Sequence, residues 1–180
     1  MKRTVKAIQN IDNVLGKIAI MLTVVLTILM LLLSLTEVIR RYLFDLSFPW
    51  SEELLRYMLI WLVFTGAAAA YQKDRMINVD LLLSKTSPQV KSIFLLIVDI
   101  VSLIFLSFLT YLAIKRVSSP TVVKRISATL KVSMSYAYAA PVAGLALMTF
   151  SSLAKLPNCI NNVKTAFSGR NTEKEEAPIK

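Results

Sequence analysis

The sequence predicts an all-α integral membrane bundle of four transmembrane helices, with an interfacial amphipathic helix between the first two. Three observations carry this. Apolar residues make up 56% of the 180-residue chain and its mean hydropathy is +0.61, whereas roughly 45–50% apolar is typical of soluble domains even with glycine included. The apolar residues gather in four runs, each close to the ~20 helical residues that a bilayer core requires. The charges, net +10, sit between those runs instead of forming one stripe on a polar domain, which fits membrane flanks and argues against a nucleic-acid partner.

The layout reads as a basic N-terminus over 1–17, a membrane domain over 18–154 and a tail over 155–180. Ile18 to Thr36 is free of charge between Lys17 and Glu37, which gives span one. No small-residue cleavage site follows it, so it reads as a retained span and not a removed signal peptide. Val38 to Phe48 is rich in aromatics, with Tyr42, Phe44 and Phe48 and then Trp50. Such rings favour the headgroup level, so a short helix or helix extension along the interface is expected. Span two begins near Pro49, and its stretch from Tyr57 to Gln72 carries no charge. Pro88 suits the first turn of a third helix, apolar from Ser92 to Ile114 except for Asp99. Val132 to Ala154 is the fourth span, ended by Pro157. From about Ser168 the tail mixes Gly, Asn, Glu, Lys and Pro without periodicity and is expected to be disordered. No sequence repeat relates the two helix pairs, which weighs against a self-contained transporter built from two repeats.

Lysine and arginine set the orientation. With the N-terminus inside, thirteen of them fall on the cytoplasmic side and seven on the other, leaving Arg56 within span two. Both termini are therefore expected in the cytoplasm. One exception stands out: the expected outer segment from Lys115 to Lys131 holds five cations, Lys115, Arg116, Lys124, Arg125 and Lys131, and no acid. Attraction to anionic headgroups explains them, and so does a landing site for an acidic partner.

The densest information lies in Phe48-Pro49-Trp50-Ser51-Glu52-Glu53-Leu54-Leu55-Arg56. Ser51 is expected to cap the helix, with Glu52 and Glu53 in the first turn, where the helix dipole favours acids. Glu52 and Arg56 stand four apart with the acid first, the favourable order for a pair. A plain membrane anchor requires none of this. Trp50, Glu52, Glu53 and Arg56 read as a polar clamp against another subunit or a lipid headgroup, or more simply as a solvated helix start.

Arg41-Tyr42, Phe44, Pro49 to Leu54, Arg56, Trp61, Phe64, Gly66-Ala67-Ala68 and Val79-Asp80 together resemble the small membrane subunit, of DctQ type, of tripartite ATP-independent periplasmic (TRAP) transporters. Members often carry a histidine a few residues before the aspartate. This chain has Met76-Ile77 there and no histidine at all, so no role resting on that histidine carries over. The resemblance implies a bacterial inner-membrane protein partnered by a large membrane subunit and a periplasmic substrate-binding protein. It further implies a scaffold that braces the static part of the large subunit during sodium-gradient-driven uptake of an organic acid, with sialic acid one candidate. The competing reading is a basic four-span adaptor or assembly factor of another inner-membrane complex.

The remaining polar and small residues have plainer uses. Asp99, well inside span three, is a candidate for cation binding or proton relay. No second buried acid or histidine continues a relay, so packing through a hydrogen bond to a neighbouring helix is the preferred reading. Gly66 to Ala70, Gly66, Ala67 and Ala70 among them, let backbones approach closely, within the chain or against a partner that Trp61 also touches. Pro141 with Gly144 reads as a kink or close-packing point. Cys159 is alone and no histidine accompanies it, so a disulfide or a metal site has no basis. No glycine-rich phosphate loop or paired nucleophile and base is present, since Lys131 and Ser133, two apart on a helix, do not face each other. No enzyme activity and no cofactor are expected.

Overall fold

The computed structural model describes residues 2–44, 48–73, 88–127 and 129–175. The chain forms helices α1 (Lys2–Phe44), α2 (Pro49–Lys73), α3 (Pro88–Val117), the single turn α4 (Pro120–Val123) and α5 (Ser135–Glu175). Among the described residues there is no strand, only one antiparallel bridge between Ile126 and Ser133. Four of the helices are long and apolar enough to cross a membrane. At 1.5 Å per residue, the 43 residues of α1 extend about 65 Å, twice the ~30 Å of a bilayer core.

Sequence explains where the helices start. Pro49 and Pro88 open α2 and α3, where a missing N–H costs nothing and the fixed φ suits the first turn. Helix ends differ from the sequence reading. Val38 to Phe44 continues α1 without a break, so of the two forms expected for this segment it takes that of a helix extension, and among the described residues no separate helix lies between the first two spans. No glycine or proline interrupts the chain from Lys17 to Phe48, and nothing stops the helix earlier. Pro157 does not end the last span either: α5 runs through Pro141 and Pro157 to Glu175, beyond the expected onset of disorder. Each proline frees only the carbonyl four residues before it, Ala137 and Leu153. Val79 and Asp80 lie outside the described residues.

α5 is the hub. α3 packs chiefly on α5, α2 packs on both α1 and α5, and α1 touches α5 more lightly. The buried positions are mostly small: Ala19, Ala68, Ala69, Ala140, Ala154, Thr65, Ser151 and Ser152. Leu31, Leu32, Phe105 and Phe108 point outward. This inside-out pattern suits helices in lipid, where association rests on close backbone packing and not on water exclusion. Ala68, Leu106 and Met148 form the centre, with Ala67, Tyr71, Leu145 and Leu147 against it. α2 and α5 cross closely at Gly144, where an added Cβ would sit 2.7 Å from the Phe64 carbonyl oxygen and 2.8 Å from its Cβ. Span hydroxyls return to the carbonyl one turn earlier, as Thr110 does to Leu106 and Thr149 to Leu145. The Thr110 and Thr149 hydroxyls also meet across α3 and α5 at 3.1 Å.

Candidate functional site

One end of the bundle gathers the start of α2, the end of α3, α4, the loop to α5 and the start of α5. Pro49 sets the helix start, and the two rings before Ser51 stack: Phe48 and Trp50 have centroids 5.5 Å apart and planes at 26°. The Arg40 guanidinium lies 3.5 Å from the centre of the Phe48 ring, and Glu37 accepts from the Phe48 N–H at 3.4 Å. Span one thereby grips the beginning of span two. Ser51 does not cap the helix. It sits inside the first turn, nearly fully buried, and its hydroxyl donates to the Phe48 carbonyl at 2.7 Å. With Pro49 opening the helix, the cap position falls on Phe48, whose side chain has no acceptor to offer.

The acids part company. Glu52 and Arg56 are exposed and form no ion pair with each other, since a solvated pair gains little over separate hydration. Glu53 turns inward instead. One oxygen accepts from Tyr57 at 3.0 Å, and the other accepts from the Thr129 hydroxyl and from the Leu130 N–H at 3.4 Å. The clamp thus holds the chain's own loop.

That loop is a compact hairpin. Ser127 N–H donates to the Val132 carbonyl at 2.8 Å, and Met134 N–H to the Arg125 carbonyl at 3.0 Å. The Ser127 hydroxyl accepts from Leu130 N–H at 3.0 Å. Lys131 takes the left-handed conformation, with φ 52°, which a residue with a Cβ adopts only where the turn requires it. Ser133 accepts from Ser135 N–H at 3.3 Å and steadies the start of α5. The hairpin leaves Lys124, Arg125 and Lys131 exposed, and Lys115 and Arg116 at the end of α3 are exposed as well. All five of these cations therefore share one end of the bundle.

The other singled-out residues serve the bundle in different degrees. Trp61 donates its indole N–H to the Tyr136 carbonyl at 3.1 Å, an internal bond between α2 and α5. Ala68 and Ala69 are buried, Gly66 and Ala67 half-buried and Ala70 exposed. At Gly66 an added Cβ would meet only Thr23 Cγ2 at 3.6 Å, so no internal contact demands a glycine. Ser152 on α5 donates to Asp99 Oδ1 at 3.4 Å, while Asp99 Oδ2 is buried without a partner among the described residues.

Sequence reasoning missed two groups. The Glu53 partners Thr129 and Leu130 lie far along the chain, and only Tyr57, one turn on, offered a local signal. At the opposite end, Asp12 and Lys155 are buried, although in sequence both pass for ordinary solvated flanks. Gln72 lies over Gly16, where a Cβ would collide with its amide, and donates to the Asp12 carbonyl.

The family described as tripartite ATP-independent periplasmic transporters, DctQ component, matches over residues 15–161, which includes all four spans and the hairpin. This chain belongs to the DctQ family. As a DctQ chain it is a TRAP transporter component and a multi-pass protein of the bacterial inner membrane. A Haemophilus influenzae protein named as a TRAP transporter small permease protein is 30% identical to this DctQ chain over 96 residues. The aligned part is 53% of this chain, and it spans 60% of that relative's length.

Proposed function

We propose that this DctQ chain is a non-catalytic scaffold subunit of a TRAP transporter. It braces a large membrane subunit that carries the substrate and ion sites, and it helps dock a periplasmic binding protein. The system then drives uptake of an organic acid, with sialic acid a candidate, on a sodium gradient, and both termini of the chain face the cytoplasm. The carrying observation is the tethered basic hairpin. Five exposed cations share one end, and three of them ride on a loop fixed to α2 through Glu53. The scaffold role draws support from α1 and α3, which turn large apolar residues outward along their lengths. Exposed Glu52 and Arg56 remain available to a partner or a lipid headgroup.

The test is affinity purification of the full chain from native membranes, with mass spectrometry of what accompanies it. A large multi-span permease is expected, recovered less well by a Glu52→Ala, Arg56→Ala double variant that still inserts. A monodisperse chain that retains no permease in mild detergent, even when the permease is co-expressed, would sink the scaffold reading.

A further inference from the structure

At the end that carries the basic hairpin, α2, α3 and the start of α5 enclose an apolar groove of about 280 Å³. Trp61 of α2, Ile114 and Val117 of α3, and Ala139, Val142 and Ala143 of α5 line it. Ala139 and Ala143, one turn apart, carry only methyl groups, which leaves the space. Trp61 stands as a fixed wall, because its indole N–H is held by the Tyr136 carbonyl at 3.1 Å. Ile114 lines the groove and is still 49% exposed, so the groove is open to whatever surrounds the bundle.

The groove begins at a polar boundary. The charge-free stretch of α3 ends at Ile114, and Lys115 and Arg116 follow it, as basic residues do at the headgroup level. Ser118, which is exposed, adds a hydroxyl to the lining there. Ala143 lies more than two turns beyond the first residue of α5, Ser135, about 12 Å along the helix. The groove therefore runs from the headgroup level inward among the spans. Lys115 stands one turn before Ser118, and residues three apart are neighbours on a helix surface. The Arg116 guanidinium lies 5.9 Å from the ring centre of Tyr138, the residue before Ala139. Both cations stand at the level where the groove opens, and the sequence from Lys115 to Lys131 holds no acid to balance them.

An apolar groove left empty in hydrocarbon forfeits the dispersion contacts of its walls. A partner helix is too thick for it: at 10–12 Å across, one helical turn occupies roughly 400–600 Å³. A linear hydrocarbon chain is thin enough, and the cations at the mouth call for an anion at its head. We propose that the groove binds an anionic phospholipid, with one acyl chain over Ala139 and Ala143 and the phosphate on Lys115 and Arg116. A choline headgroup brings a cation of its own to Lys115 and Arg116 and gains less there. Lys124, Arg125 and Lys131, which ride on the hairpin, remain for docking.

The test uses the full chain purified with its accompanying subunits and stripped of lipid by detergent exchange. It is offered phosphatidylglycerol, phosphatidylcholine or glycerophosphoglycerol, the first headgroup without its chains, and native mass spectrometry reads the retained adduct. Phosphatidylglycerol should be retained about tenfold better than phosphatidylcholine, the scale of two cations acting on one anionic headgroup. A Lys115→Ala, Arg116→Ala double variant should abolish that preference. Ala143→Phe, which fills the groove, should lower phosphatidylglycerol retention at unchanged helix content and unchanged recovery of the other subunits. Should Ala143→Phe fail to fold, the double variant and the chainless headgroup decide. Equal retention of the two lipids, or retention indifferent to the variants, would overturn the proposal. Glycerophosphoglycerol held as well as the lipid would overturn the role of the groove. Loss of another subunit from Ala143→Phe, with lipid retention intact, would give the groove to a protein side chain instead.

Discussion

Glu53 meets three donors, the Tyr57 hydroxyl, the Thr129 hydroxyl and the Leu130 N–H, and offers only acceptors in return. An ionised carboxylate suits that arrangement, while an amide would turn an N–H₂ toward one of those donors. Glu53→Gln should therefore loosen the hairpin nearly as much as Glu53→Ala, and Glu52→Ala should leave it intact. Limited proteolysis between Lys124 and Lys131 reads the difference; equal protection in all three variants would show that the tether does not hold the loop. Asp99 is a gentler case. Its one partner among the described residues is Ser152 at 3.4 Å, and a net hydrogen bond is worth about 1 kcal/mol. Asp99→Asn should shift stability by no more than about that much and retain most uptake in a reconstituted transporter. Loss of sodium dependence with the complex intact would instead make Asp99 part of the ion path.

At the scale of helices, two glycines that look alike in sequence behave differently. Gly144 sits where α2 and α5 cross, and a Cβ there would press on the Phe64 main chain. Backbone cannot rotate aside, so Gly144→Ala should destabilise by about 1–3 kcal/mol, the usual cost of overpacking. Gly66→Ala makes only an ordinary contact with Thr23 and should be close to neutral. Thermal melting followed by size-exclusion chromatography compares them, and a Gly144→Ala melt equal to wild type would mean that the crossing is looser than described. Close packing at Gly144 was one of two readings the sequence offered, beside a kink, whereas the slack at Gly66 was not legible, since Gly66 opens a run of small residues that all suit close approach. The helix starts were legible, because Pro49 and Pro88 act locally through a fixed φ and a missing N–H. The helix ends were not. Whether a helix passes Pro157 depends on what satisfies one freed carbonyl, and that is a tertiary matter.

For the whole molecule, the five cations from Lys115 to Lys131 were readable as a breach of the expected positive-inside trend. Their shared end and the hairpin that carries three of them were not, because the tether spans residues 53 to 130. Complementary charge mainly raises encounter rates, and a Debye length of about 8 Å at physiological salt limits its reach. Reversing Lys124 and Arg125 to glutamate should thus slow binding-protein-dependent uptake, most at low salt and low binding-protein concentration. Identical uptake by variant and wild type across a salt series, at equal complex levels, would remove the docking role. The central place of α5 bears on how the protein is made. α3 leaves the ribosome before α5, yet α3 rests chiefly on α5. At about 5–20 residues per second, α3 waits in the membrane for seconds with its contact face toward lipid or the insertion machinery. Asp99 waits with it, before Ser152 has been synthesised. Assembly is therefore gated by the last helix: a chain stalled before Ser135 would hold the α1 and α2 hairpin already paired and α3 adrift. Quality-control proteases that survey nascent membrane proteins would find their target in α3.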